Sequence, residues 1–271
     1  MNALSPSVPS ASAGTAKAPF AWSNTAKLVT LAVVIYSVYV LAQIDISAER
    51  LALGLKQGSK FISRMFPPDI SKMDILWTGI RESMQIAVLS TAVGIALSLP
   101  IGLLAARNLM PAPVCWTARG LIALSRSLHP VIKAILFVKA VGFGPLAGIL
   151  ALVVATVGFV GKLFADAIEE ISPKQVEAVR ATGASFMNVV LFGVLPQVLS
   201  RFVGFGTYQL DSNLRNSTMV GIVGAGGIGG ALFSAFQRFD YDFVFTILAT
   251  IVLIIVVGEV AVNAIRKALN V

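Results

Sequence analysis

The chain has 271 residues, 56% of them hydrophobic and only 13% charged, with a mean hydropathy of +0.85; a soluble domain carries about 25% charged residues, so a water-exposed surface is excluded and an all-α, polytopic membrane protein is predicted. The net charge of +8 reads as Lys and Arg holding loops on the cytoplasmic side, not as a nucleic-acid surface. A single cysteine, Cys115, excludes an intrachain disulfide and a cysteine-cluster metal site, and one histidine without an HExxH pattern argues against a zinc enzyme.

In chain order, residues 1–24 are rich in Ser, Ala and Pro, with Lys17 the only charge, and read as a disordered cytoplasmic leader. Leu28 to Ile44 is 17 residues without a formal charge, enough for a short spanning helix. It lacks the short apolar core, basic start and small-residue cleavage site of a signal peptide. Residues 45–74 place Lys56, Lys60 and Arg64 at four-residue spacing beside Leu51, Leu55, Ile62, Met65 and Phe66. That pattern predicts an amphipathic helix lying in the membrane interface, ended by Pro67-Pro68. Residues 25–74 thus form a first transmembrane helix plus a periplasmic interfacial segment.

Further apolar stretches follow at Ile75–Ala106, Leu121–Val141, Leu146–Phe164 and Phe243–Ile265. A shorter one, Val198–Leu210, extends through Asp211–Leu214 if its polar groups line a cavity. The expected total is about six transmembrane helices with both ends cytoplasmic. Arg107, Arg119, Lys162, Lys174, Arg180, Arg266 and Lys267 then fall inside, whereas the basic 45–74 loop opposes the positive-inside rule.

Between the fourth and fifth spans lies a polar, helix-forming loop, 165–196. Ser172-Pro173 has the form of an N-cap followed by proline at the first helical position. Glu177 precedes Gly183 by six residues and Pro196 follows Gly183 by thirteen. With Ala178 and Leu195, this resembles the EAA loop of ABC-importer permeases, Glu-Ala-Ala-x-x-x-Gly followed by Leu-Pro. Val179 replaces the second alanine and Gly193 stands where the pattern has isoleucine. VGFGPLAGILAL, GKLFADAIEEI, EAVRATGAS, GVLPQ and VGAGGIG extend the similarity to the permeases of phosphonate-type ABC importers, from about Ile75 to the C-terminus. Arg126-Ser127-Leu128-His129-Pro130-Val131 lacks the acid usual after that proline, a form that resembles the phosphite and hypophosphite branch.

The resemblance implies a type I ABC-importer permease domain over 75–271 in the bacterial cytoplasmic (inner) membrane. It implies a homodimer, two copies of a separate ABC ATPase that bind ATP and Mg, and a periplasmic substrate-binding protein. Glu177, Ala178, Gly183, Leu195 and Pro196 would couple to the ATPase. No cofactor, metal or catalytic residue is expected in this chain, and no GxxxxGK[ST] occurs. The substrate would be a small phosphorus oxyanion: phosphonate, phosphite or hypophosphite. Alternatives are a permease for methionine or another small solute, or an ion-driven secondary transporter, although internal repeats are not seen.

Two polar clusters suit an oxyanion path, because charge inside a membrane marks a cavity or a partner. One is Arg126, His129 and Lys133, expected on one helix face. The other is Asp211, Asn213, Arg215, Asn216, Ser217 and Thr218, in which Asp211 and Arg215 can neutralise each other. The run Gly224, Gly226, Gly227 and Gly229 has no strand before it, so it is not a dinucleotide fingerprint. Two readings are open for it: tight turns with close helix packing, and a flexible re-entrant element beside a gate.

Overall fold

The computed structural model describes residues 23–44 and 47–268; the expected leader falls almost wholly outside them. Helix α1 (Asn24–Gln43) opens with Ser23, whose Oγ accepts the Ala26 N–H at 3.2 Å. Twenty residues span about 30 Å at 1.5 Å per residue, the thickness of a bilayer core. None of its side chains is buried, the condition of an all-round apolar helix whose solvent is lipid. Helix α2 (Ala48–Ser63) carries Lys56 and Lys60 exposed. It ends before Arg64, which was expected on the same helix; the chain turns there, with the Met65 N–H on the Ile62 carbonyl at 3.0 Å and Met65 buried.

The stretch from Lys60 to the C-terminal end forms one contact-rich unit. Its axis is α3 (Met73–Ala105), which buries a row of small residues, Gly79, Ser83, Ala87, Ser90, Gly94, Ser98 and Gly102. The row begins against Ile228 at Gly79 and Ser83 and continues along α6 (Pro145–Glu169) and α9 (Leu195–Gly221). A Cβ at Gly94 would stand 2.5 Å from Thr156, and one at Gly102 would stand 2.7 Å from Phe164. Small residues let helix backbones approach, which substitutes in lipid for the missing hydrophobic drive.

The stretch expected as one span, Leu121–Val141, is two helices. They are α4 (Ala112–Ser127) and α5 (Pro130–Val141), bent by 93° at the break. Pro130 lacks an N–H and disfavours helical geometry at the residue before it. His129 is accordingly extended (φ −65°, ψ 146°), and its Nδ1 accepts the Val131 N–H at 3.4 Å as an N-cap. Arg126, His129 and Lys133 therefore do not share one helix face. Among the described residues five helices are long and apolar enough to cross a membrane, six if α4 and α5 count as one broken span. Among the described residues there is no strand.

The fifth span is longer than Val198–Leu210. Helix α7 (Pro173–Ala181) and the short α8 (Phe186–Asn188) precede a π-type turn over Val189–Val194 that runs directly into α9. The wide turn puts the Leu195 N–H on the Val190 carbonyl just ahead of Pro196, which has no N–H to continue an ordinary helix. The polar stretch between long helices thus contracts from 165–196 to 170–185. Helices α10 (Ile228–Gln237) and α11 (Tyr241–Ala268) complete the unit. Leu76, Ile228, Ala235, Phe243 and Ile247 form a core where α10 and α11 meet α3.

Candidate functional site

The apolar anchor of helix α7 is Val176, with half-buried Val179 beside it. Val176 is buried in the cluster of Phe164, Ile168, Val189 and Val194. Gly193 packs against it: a Cβ there would make ordinary contact, 3.5 Å from Val176 and 3.6 Å from Val179. Ser172 has N-cap backbone geometry but makes no side-chain cap; its N–H goes instead to Gln197 Oε1 at 3.1 Å. Gly183 (φ +76°) closes the helix with its N–H on the Arg180 carbonyl at 3.0 Å. That left-handed conformation favours glycine. Glu177, Ala178 and Gly183 are exposed, Leu195 is half-buried and Pro196 exposed. The result is a short polar helix held from behind, with its charged face free for a polar partner.

The expected cationic cluster is split by the bend. Arg126 ends α4, exposed, and lines a groove of about 400 Å³ with Arg119, Ile122, Ala123, Ser127 and Lys162. His129 caps α5 and is exposed. Lys133, one turn into α5, is only 5% exposed and has no ion-pair or hydrogen-bond partner among the described residues. In the second cluster Asp211 and Arg215 form an ion pair within α9. The Ser217 hydroxyl is bonded to the Leu214 carbonyl and that of Thr218 to the Arg215 carbonyl.

A polar layer that sequence reasoning left unread links three helices. The Asn213 Nδ2 donates to Thr91 Oγ1 at 2.9 Å and to Thr156 Oγ1 at 3.0 Å. The Gln209 Nε2 donates to Asn213 Oδ1 at 2.9 Å and to Thr156 Oγ1 at 3.2 Å. All four residues are buried. The signal available in sequence was Gln209 and Asn213 at i, i+4, on one face of the helix.

The glycine run holds left-handed backbone at Gly224, Gly226 and Gly227, while Gly229 is helical in α10. Gly227 donates its N–H to Glu82 Oε2 at 2.8 Å, and Ile228 donates to Ser83 Oγ at 3.0 Å. The Gly144 N–H reaches the Gly224 carbonyl at 3.0 Å. Both tight turns and close packing are thus present: a Cβ on Gly229 would meet the Thr218 carbonyl at 1.8 Å. The run borders a cavity of about 630 Å³ that also takes Asp74, Glu82 and Arg238. Glu82 is a second residue missed by sequence reasoning; it lies within the stretch read only as apolar.

At the start of α3, Lys72 binds Asp240 and also Asp69 at 3.3 Å, with its ammonium 4.9 Å over the Phe243 ring. The Asp69, Asp240 and Asp242 carboxylates lie within 4.8 Å of one another, and Lys72 supplies the cation among them.

Residues 98–270 match the family of binding-protein-dependent transport system inner membrane components. The chain belongs to this family. It is a multi-pass membrane component of such a transport system. It is 38% identical over 223 residues to the phosphite transport system permease protein PtxC of Stutzerimonas stutzeri, covering 82% of this chain and 81% of that one. It is 42% identical over 209 residues to the phosphate-import permease protein PhnE of Mycolicibacterium smegmatis; the match covers 76% of this chain but spans 39% of that longer protein. Among solved structures, an inward-facing MetNI methionine ABC transporter superposes with a TM-score of 0.65 at 26% identity. That superposition covers 74% of this chain and 99% of the other.

Proposed function

We propose that the chain is the permease subunit of an ATP-driven ABC importer for a small phosphorus oxyanion such as phosphite, a phosphonate or hypophosphite. The observation that carries this reading is the match to a phosphite permease over 82% of the chain, joined to an exposed helix α7 of the kind an ATPase subunit can grip. The methionine alternative rests on a relation of only 26% identity.

In this reading α7 is the coupling helix, with Glu177, Ala178, Gly183, Leu195 and Pro196 at the contact with the ATPase. Arg126, His129, Lys133, Asp211, Arg215, Ser217 and Thr218 belong to the substrate path, and Gly224, Gly226, Gly227 and Gly229 to a gate. Two copies of the chain pair with two ATPase subunits, which bind ATP and Mg. A periplasmic binding protein delivers substrate to the bacterial inner membrane. Chemistry in this chain is limited to binding and movement.

The test is uptake into proteoliposomes holding the permease with its ATPase and binding protein. ATP-dependent accumulation of phosphite or methylphosphonate, with methionine excluded, is expected. Accumulation of methionine alone, or uptake independent of ATP, overturns the reading.

A further inference from the structure

We infer that the groove between α4 and α6 is a binding site for a phosphate-like oxyanion, held by Arg119, Arg126 and Lys162. This regroups Arg126 with residues that no sequence pattern placed beside it. The groove encloses about 400 Å³, within the range of small-molecule sites, with room for an ion and its residual water. Three cations and the hydroxyl of Ser127 line it, with Ile122 and Ala123, and no acid does.

The acids that balance two of these cations stand outside the lining. Glu169 holds Arg119 at 2.5 Å, and Asp166 holds Lys162 at 2.5 Å. Arg119 is further fixed by its Nε on the Ala105 carbonyl at 2.9 Å. These partners orient and largely neutralise Arg119 and Lys162, so the uncompensated charge of the groove is that of Arg126. Arg126 has no hydrogen-bond or ion-pair partner among the described residues, so its planar donors are available. A guanidinium matches a tetrahedral oxyanion in geometry, and an ammonium adds a point charge.

The groove is also built to a fixed width. Ser125, next to Arg126, donates its hydroxyl to the Val154 carbonyl of α6. Gly158 admits α4 so closely that a Cβ there would lie 2.5 Å from Ser125 Oγ and 3.0 Å from Arg126 Cγ.

Trp116, 69% exposed, shares with Arg107 and Arg119 an adjoining cavity of about 340 Å³. An exposed tryptophan beside arginines marks headgroup depth. The same chemistry therefore has two sources: a free oxyanion leaving the transport path, which rests on the proposed function, and the phosphate of an anionic lipid, which does not.

The test compares full-length wild type with an Arg126→Gln/Lys162→Gln double variant. Arg126→Lys serves as the charge-preserving control. Phosphite binding is followed by phosphorus NMR in phosphatidylcholine nanodiscs. Retention of added phosphatidylglycerol is followed by native mass spectrometry. A free-oxyanion site predicts phosphite binding weakened about tenfold or more in the double variant and largely kept in Arg126→Lys. A lipid site predicts no phosphite binding but loss of retained phosphatidylglycerol in the double variant. Equal phosphite binding and equal lipid retention in wild type and double variant overturn the site, as does loss of both in Arg126→Lys. Because the readout is binding, failure of phosphite uptake with binding intact counts against the transport reading and not against the groove.

Discussion

Gln197 accepts the backbone N–H of Ser172 at 3.1 Å, tying the residue that starts α7 to the first turn of α9. The same side chain donates its Nε2 to the Gly193 carbonyl at 2.6 Å. Helix α7 is thus attached to α9 by a polar bridge as well as by buried Val176, while Glu177 stays outside both attachments. Glu177→Ala should leave the folded permease intact and reduce ATP-coupled uptake by about tenfold or more, on the scale of a lost charge-assisted contact. Gly183→Val tests the turn. Nothing lies within 4 Å of a Cβ at Gly183, so the cost of about 1–2 kcal/mol is backbone strain alone. Uptake and substrate-stimulated ATPase activity at wild-type levels in both variants would remove α7 from coupling.

Lys133 separates a structural from a transport role by opposite signs. The Lys133 side chain is nearly buried and its ammonium unpaired, but the nitrogen itself is not enclosed, so it bears only part of the several-kcal/mol penalty of a buried ion. Lys133→Met, of similar length, should therefore raise the Tm in detergent. If the charge serves an oxyanion path, the same variant slows uptake about tenfold with expression unchanged. A stabilised variant that transports at the wild-type rate across substrate concentrations refutes that role.

Asn213→Leu should destabilise the bundle by about 1–2 kcal/mol. It removes two hydrogen bonds to threonines and one from Gln209, leaving Gln209 with Thr156 as its remaining partner. Thermal unfolding in detergent measures this, and an unchanged or higher Tm contradicts it. The conservative Asn213→Gln adds a methylene to a packed layer and should not restore the wild-type value.

The junction of α3 and α11 gives a pH dependence of defined sign. The hydrogen bond from Lys72 holds Asp240 below the usual carboxylate range, and hydrogen bonds from Ser71 do the same for Asp69. The bond to Asp240 raises Lys72. Depressed carboxylates stabilise above their unfolded values near 3.8, and that stabilisation is lost as pH falls through the lower folded values. A raised lysine stabilises below 10.5, and this is lost as pH rises through its folded value. The contribution is therefore steady from about pH 5 to 10 and falls on either side. Lys72→Met should lower the Tm on that plateau and shrink its acid decline; a variant Tm curve parallel to wild type at every pH rejects the link.

The long apolar runs were legible as helices because lipid selects for them: α1, α3, α6 and α11 lie where apolar stretches predict them. The bend at Pro130 was also written in the sequence, but hydropathy averages over it. A 93° change of direction leaves the mean apolarity of Leu121–Val141 untouched. Helix α9 was shortened for the opposite reason. Gln209 and Asn213 lower its hydropathy, yet each meets a partner on a neighbouring helix, which only the tertiary arrangement reveals. Gly183 was legible because a turn with positive φ asks for glycine. The groove of Arg119, Arg126 and Lys162 was not, since it joins residues up to 43 positions apart across α4 and α6.

The layer of Thr91, Thr156, Gln209 and Asn213 has a mechanical consequence. Sliding α3, α6 or α9 past a neighbour by one turn, about 5.4 Å, would strip amide hydrogen bonds in a region without water to replace them. These three helices are therefore clamped into a single rigid wedge. Two features lie outside that wedge: the elbow between α4 and α5, where Pro130 interrupts the helix, and the glycine turn at Gly226 and Gly227, tied to α3 by the backbone N–H of Gly227 on the Glu82 carboxylate.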